Sequence, residues 1–141
     1  MSESAPDRPL GVTGLDHVTV SASDFAASFA LYDEALSALG LERVVELGDE
    51  EQDGAAVEAA GWGTGADAVL WLVAAPVATR AVHICLRADS PSTVEAFHAA
   101  ALAAGARSHD APRRWPIFRS GRFNAIVQDR DGNLLEAVSA E

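Results

Sequence analysis

Residues 15–22 read Leu-Asp-His-Val-Thr-Val-Ser-Ala, and residues 81–87 read Ala-Val-His-Ile-Cys-Leu-Arg. Both alternate with the period of two that a half-buried strand requires. In the first, Val18 and Val20 share one face while Leu15, His17 and Thr19 share the other; in the second, Val82, Ile84 and Leu86 oppose His83 and Cys85. The same signals follow each stretch. Ser23 or Asp24 can cap a helix whose apolar positions Phe25, Phe29, Tyr32, Leu36 and Leu39 recur at three and four residues before Gly40. Ser90-Pro91 supplies a cap and a proline for the first helical position, Val94, Phe97, Ala101 and Leu102 form the stripe, and Gly105 stops it. Histidine, cap and stop thus repeat almost in register, which marks an internal duplication.

Three strand-like runs, at about 41–47, 55–60 and 68–74, complete the first unit as β-α-β-β-β. The second continues with a strand near 106–109, an irregular stretch over 110–121, and strands at about 122–128 and 133–139. Gly61-Trp-Gly-Thr-Gly65 precedes a strand rather than a helix, so it is a hairpin turn and no phosphate loop, with Trp62 placed to cover a pocket. Asp129-Arg-Asp-Gly-Asn133 is turn chemistry. It lacks the third acidic position and the closing glutamate of a calcium loop. The expected organisation is a disordered lead-in over 1–12 and one domain over 13–139, with modules at about 13–75 and 80–139.

A chain of 141 residues, 49% hydrophobic and 22% charged, is the size of one compact domain. Its net charge of −11 is unevenly placed: residues 1–60 hold 13 acids and two arginines, residues 61–141 eight of each. That balance opposes nucleic-acid binding, which leans on clustered cations. There is no lysine, which excludes Schiff-base and P-loop lysine chemistry. A single cysteine, Cys85, permits no internal disulfide, and no apolar run reaches the roughly 18 residues of a membrane span. A cytoplasmic protein without nucleic-acid or membrane partners is expected.

In both opening strands the histidine lies opposite the residues that pack under the helix, so His17 and His83 point to the other side of the sheet. The strand Asn133–Val138 adds Glu136 within an apolar run, where a carboxylate is costly unless paired or metal-bound. Two imidazoles and one carboxylate make a facial set with open metal positions; the alternative is three separately hydrogen-bonded residues.

Leu15–Val20, Val82–Leu86 and Asp129–Val138 together resemble the first, fifth and eighth strands of the vicinal oxygen chelate superfamily, which includes glyoxalase I, extradiol dioxygenases, epimerases and bleomycin- or fosfomycin-resistance proteins. The resemblance covers about residues 13–139. It implies an α+β fold in which two βαβββ modules form a cupped, incomplete mixed β-barrel with helices outside, commonly within a homodimer. It also implies metal ligands at His17, His83 and Glu136, holding Fe²⁺ by preference, with Mn²⁺, Ni²⁺ or Zn²⁺ as alternatives. Two departures stand out. Glyoxalase-type members carry a fourth ligand, usually glutamate, where aligning Ala68–Leu72 puts Trp71, which favours a three-ligand, dioxygenase-like site. Many relatives also carry a Tyr-Tyr or His-Tyr pair before the segment that here reads Arg122-Phe-Asn-Ala-Ile-Val127, and Phe123 can neither donate nor accept a proton.

Trp71, Trp115, Phe118 and Phe123 are candidates for an aromatic wall, with Arg119 and Arg122 placed to orient a substrate carboxylate. Arg113 and Arg114 lie in the same segment. His109 is a weak candidate acid or base, and His98 a partly exposed helix residue. The expected ligand is a small aromatic or carboxylate-bearing molecule with adjacent oxygens, processed by ring cleavage or by lyase or isomerase chemistry. The competing readings are a metal-free small-molecule or antibiotic-binding protein, consistent with the acidic run 49–53, and a dimeric scaffold with a vestigial site.

Overall fold

A computed structural model describes residues 14–52, 55–115 and 121–140. Its elements are β1 (Val18–Ala22), α1 (Phe25–Ala38), β2 (Glu42–Gln52), β3 (Ala55–Thr64), β4 (Asp67–Ala74), β5 (His83–Arg87), α2 (Pro91–Ala103), β6 (Arg107–Arg114), β7 (Phe123–Gln128) and β8 (Leu134–Ser139). They form two four-stranded mixed sheets, ordered β1-β4-β3-β2 and β5-β8-β7-β6. In each, the opening strand runs parallel to the module's last strand and the others pair antiparallel. The sheets do not close into a barrel, so β1 and β5 are outermost strands of their sheets among the described residues, with Ser21 of β1 bonded on its outer side to Thr79. The disordered lead-in expected over 1–12 lies outside the described residues.

The helix boundaries follow from caps. Asp24 accepts from the Ala27 amide and Ser90 from the Thr93 amide, satisfying donors that the first helical turn leaves open. Gly40 and Gly105 reverse the chain at φ +93° and +110°, where an L side chain is strained. Under α1 the buried stripe is Leu31, Tyr32, Ala35 and Leu36, with Phe25, Phe29 and Leu39 only partly covered. Under α2 it is Val94, Phe97 and Ala101; Leu102, expected inside, is exposed. The helices also pack on each other, and Val20, Leu70 and Leu72 from one sheet join Ala125, Val127 and Leu135 from the other in a single core.

Two boundaries differ from expectation. Residues 61–64 continue β3, and the turn falls at Gly65. Trp62 therefore covers no pocket: it is fully buried beneath α1, and its Nε1 donates to Asp33 Oδ1 at 2.9 Å. Strand β6 runs through Arg114, where sequence alternation was broken by bulges on either side of Asp110. Pro112 sits in this outermost strand, the place a sheet tolerates a residue lacking an amide hydrogen.

The β7–β8 turn joins the modules. Asp129, buried, accepts the Tyr32 hydroxyl of α1 through Oδ2 and the amides of Asp131 and Asn133 through Oδ1. Asp131 accepts the Ser23 hydroxyl at 2.6 Å. Asn133 accepts the Val82 amide and donates to the Thr79 carbonyl. These bonds occupy the acidic groups that gave the segment its calcium-like look.

Candidate functional site

Strand parity builds two concave surfaces, one per module, on the sheet faces turned away from the helices. On the first, His17 and Thr19 project from the β1 segment and Val69 and Trp71 from β4, with Thr19 in register with Trp71. A cavity of about 640 Å³ lies here, lined by Asp16, His17, Val45, Asp67 and Trp71 among others. His17 is exposed, its Nδ1 2.7 Å from Asp16 Oδ1. Gly61, the cross-strand partner of Trp71, leaves room for its ring: a Cβ there would stand 3.2 Å from Trp71 Cδ2 and 2.7 Å from Ala68 Cβ.

On the second surface, His83 and Cys85 project from β5, Glu136 from β8, and Asn124 and Ile126 from β7. His83 Nε2 lies 2.7 Å from Glu136 Oε1, and Asn124 Nδ2 donates to Glu136 Oε2 at 2.6 Å. The Glu136 side chain is 6% exposed and that of His83 47%. A buried carboxylate is thus held at both oxygens while its imidazole partner faces outward, an arrangement that offsets the desolvation a lone carboxylate would suffer.

The structure therefore brings His83 and Glu136 together and leaves His17 on the other module's surface. Among the described residues no three His, Cys, Asp or Glu side chains gather as a metal site. Chemically, His83 and Glu136 fit as two of three ligands. His83 Nε2 and Glu136 Oε1, side by side, would hold a divalent metal as imidazole and carboxylate donors. Asn124 already holds the other carboxylate oxygen, as a support for a metal ligand does.

The remaining expectations divide. Arg122 lines a cavity of about 230 Å³ with Cys85, Arg87 and Val138, on the edge of the second surface. Arg113 is in register with Asn124, and its guanidinium lies 3.9 Å from the Trp115 ring centroid, so a cation–π stack borders the same surface. Phe123 does not line it: its parity matches Ala125 and Val127, and it packs against the core below α2. Phe118 and Arg119 lie outside the described residues. His109 occupies the bulge between Ser108 and Asp110 and is exposed, its Nδ1 3.6 Å from Asp110 Oδ2. His98, on α2, meets Ser108 Oγ at 2.7 Å, and burial lowers its pKa below the usual histidine value. Sequence reasoning missed Asn124. Its signal was available: a polar residue inside Phe123–Val127 on the face opposite the core positions.

The family model of the Glyoxalase/Bleomycin resistance protein/Dioxygenase superfamily matches residues 14–137. Solved structures with similar folds include a glyoxalase/bleomycin resistance protein from Albidiferax ferrireducens T118 (24% identity, TM-score 0.70, covering 89% of this chain and 97% of that one). A lactoylglutathione lyase from Agrobacterium tumefaciens aligns at 20% identity and TM-score 0.59, over 90% and 93% of the two chains. The fosfomycin resistance protein FosX from Listeria monocytogenes, complexed with Mn(II) and sulfate, aligns at 16% and 0.61, over 93% and 95%. No curated protein matches the chain. No helix among the described residues is long and apolar enough to cross a membrane. With the family model spanning nearly every described residue, the chain belongs to the glyoxalase/bleomycin resistance protein/dioxygenase superfamily.

Proposed function

We propose that this chain is a divalent-metal-dependent enzyme acting on a small molecule with adjacent oxygens, and that His17, His83 and Glu136 hold the metal. The carrying observation is the His83–Glu136 pair, a buried carboxylate and a half-exposed imidazole on one concave face with a supporting amide behind them. The Mn(II) bound by FosX, a protein of similar fold, supports a divalent ion. Two imidazoles and a carboxylate favour Fe²⁺, with Mn²⁺, Ni²⁺ and Zn²⁺ as alternatives. When bound, the metal supplies Lewis acidity to two substrate oxygens.

His17 reaches the pair in a homodimer, its edge strand β1 facing the partner's second module. The outermost position of β1 and β5 in their sheets and the absence of a three-ligand group within one chain, among the described residues, support this assembly. In the joined cup Trp71 stacks on the substrate ring, and Arg122, with Trp115 at the border, orients a carboxylate. Phe118 and Arg119, near Trp115 and Arg122 in sequence, are proposed substrate contacts as well. Ring cleavage of a catechol-like compound and lyase or isomerase chemistry are the reaction types.

The second reading is a metal-free small-molecule or antibiotic binder. It is favoured by the closed 2.7 Å His83–Glu136 bond, which satisfies both groups without an ion. Elemental analysis of protein purified without chelator separates the two. About one metal per protomer, lost in both His17→Ala and His83→Ala, supports the enzyme; a metal-free native protein that takes up no Mn(II) or Fe(II) supports the binder.

A further inference from the structure

A cavity of about 630 Å³ opens where the β4–β5 connection meets the β7–β8 turn, and it shares no lining residue with the cavities of the two cups. Arg80, Arg107 and Arg130 line it together with Asp24, Asp129 and Asp131. The two sets of charges are used differently. The carboxylates are turned to the protein's own donors: Asp24 to the Ala27 amide, Asp129 to the Tyr32 hydroxyl, the Asn133 side chain and two amides, and Asp131 to the Ser23 hydroxyl and amide. None of the three guanidiniums hydrogen-bonds or pairs with a carboxylate among the described residues, although acids share the cavity with them. Their places are fixed by the backbone. Arg130 Nη1 lies 3.6 Å from the position a Gly105 Cβ would take, beside the start of β6. Arg107 is in register with Gln128, the residue before Asp129. Arg80 precedes Ala81, which stands at φ +59°, a conformation L side chains rarely adopt, with its amide donating to the Gly132 carbonyl at 3.3 Å.

We propose that this cavity is a second binding site, which takes a phosphate group on Arg80, Arg107 and Arg130. A guanidinium presents a planar fork that two oxygens fill, so one arginine satisfies a carboxylate. Three forks from three segments call for an anion with more acceptors, which the tetrahedral oxygens of a phosphate group supply. The volume lies within the range of small-molecule sites and leaves room for the organic part of a phosphate ester. A bound phosphate ties the β4–β5 connection to the turn that Tyr32 grips, so occupancy stabilises the fold. The site is independent of the cups and of a metal.

The test is calorimetry on the full chain with inorganic phosphate, glucose 6-phosphate and acetate as probes, at constant ionic strength so that screening is the same in every titration. The proteins are wild type, Arg107→Ala, Arg130→Ala and Arg122→Ala, the last removing an arginine at the edge of the second cup. Arg107 and Arg130 are exposed, so their truncation leaves the core intact, and an unchanged circular-dichroism spectrum checks this. Wild type is expected to bind a phosphate probe about tenfold or more tightly than acetate, and Arg107→Ala and Arg130→Ala each to lose about tenfold, as for a hydrogen bond to a charged group. Arg122→Ala should match wild type. Phosphate should also raise the melting temperature of wild type and not that of the protein carrying both Arg107→Ala and Arg130→Ala. A tighter glucose 6-phosphate identifies a phosphate ester as the occupant; a tighter or equal inorganic phosphate identifies the free anion. Absence of phosphate binding, equal binding of acetate, or unchanged affinity in both cavity variants overturns the proposal. Loss of binding in Arg122→Ala does so too, because it assigns the phosphate to the cup.

Discussion

The Tyr32 hydroxyl donates to Asp129 Oδ2 at 2.6 Å, a buried bond between α1 of the first module and the β7–β8 turn of the second, 97 residues apart in sequence. Burial, then the charge of Asp129, pushes the Tyr32 pKa far above the usual tyrosine value, so the hydroxyl stays a donor at every pH the fold survives.

Tyr32→Phe removes that donor and leaves the carboxylate with its amide partners. The expected loss is about 1.5–3 kcal/mol of unfolding free energy, as for a hydrogen bond to a charged group. Asp129→Ala should cost more, because the amides of Asp131 and Asn133 lose their acceptor as well. Urea unfolding of the two variants checks both the size and the order; a neutral Tyr32→Phe refutes the clasp.

A metal site built across a dimer has a particular genetic signature. His17→Ala and His83→Ala proteins, each metal-free alone, should recover about a quarter of the wild-type metal content when co-refolded in equal amounts, because half of the dimers are mixed and each of these regains one intact site of its two. Elemental analysis of the mixture reads this directly. A site closed within one chain predicts no recovery.

Gly61→Ala should disturb the first cup from below. The new Cβ meets Ala68 Cβ at 2.7 Å and Val45 Cγ1 at 2.9 Å before it touches Trp71. Overpacking of this kind costs about 1–3 kcal/mol. Thermal unfolding should show that loss, and tryptophan emission should shift as Trp71 is lifted. An unchanged spectrum and stability would show that the sheet yields at no cost.

His98 makes stability depend on pH. Its folded pKa is lowered by burial, so the unfolded chain binds more protons on acidification. The contribution is therefore complete above the unfolded value near 6.5 and is lost as pH falls through it toward the lower folded value. His98→Gln should flatten the melting temperature between about pH 7.5 and 5 relative to wild type; parallel curves count against the assignment.

The duplication was legible because it is local. The alternation around His17 and His83, the caps Asp24 and Ser90 and the stops Gly40 and Gly105 each act within a few residues of chain. The same alternation placed His83 and Glu136 on one face, because both strands are regular. It did not survive the bulges of β6, so the strand through Arg114 read as irregular. Trp62 misled for a different reason. Glycines on both sides of it look like a turn, whereas Gly63 has no room for a Cβ, which would stand 1.9 Å from the Asp67 carbonyl oxygen. Chemistry drew notice to the aromatic ring of Phe123, while parity gives the concave face to Asn124, which holds Glu136. In the proposed dimer, what brings His17 to its counterpart is an assembly property, and no strand pattern within one chain encodes its geometry.

Asn133 touches more than the module seam. Its side chain accepts from Val82, the residue before His83, and its backbone leads into β8, three residues ahead of Glu136. The turn that Tyr32 grips is therefore also the origin from which the strands carrying His83 and Glu136 are measured. Loosening the seam should slide imidazole and carboxylate relative to each other before either strand unravels. The duplicated halves have consequently ceased to be equivalent: the first supplies a brace, and the second uses that rigidity to hold His83 against Glu136.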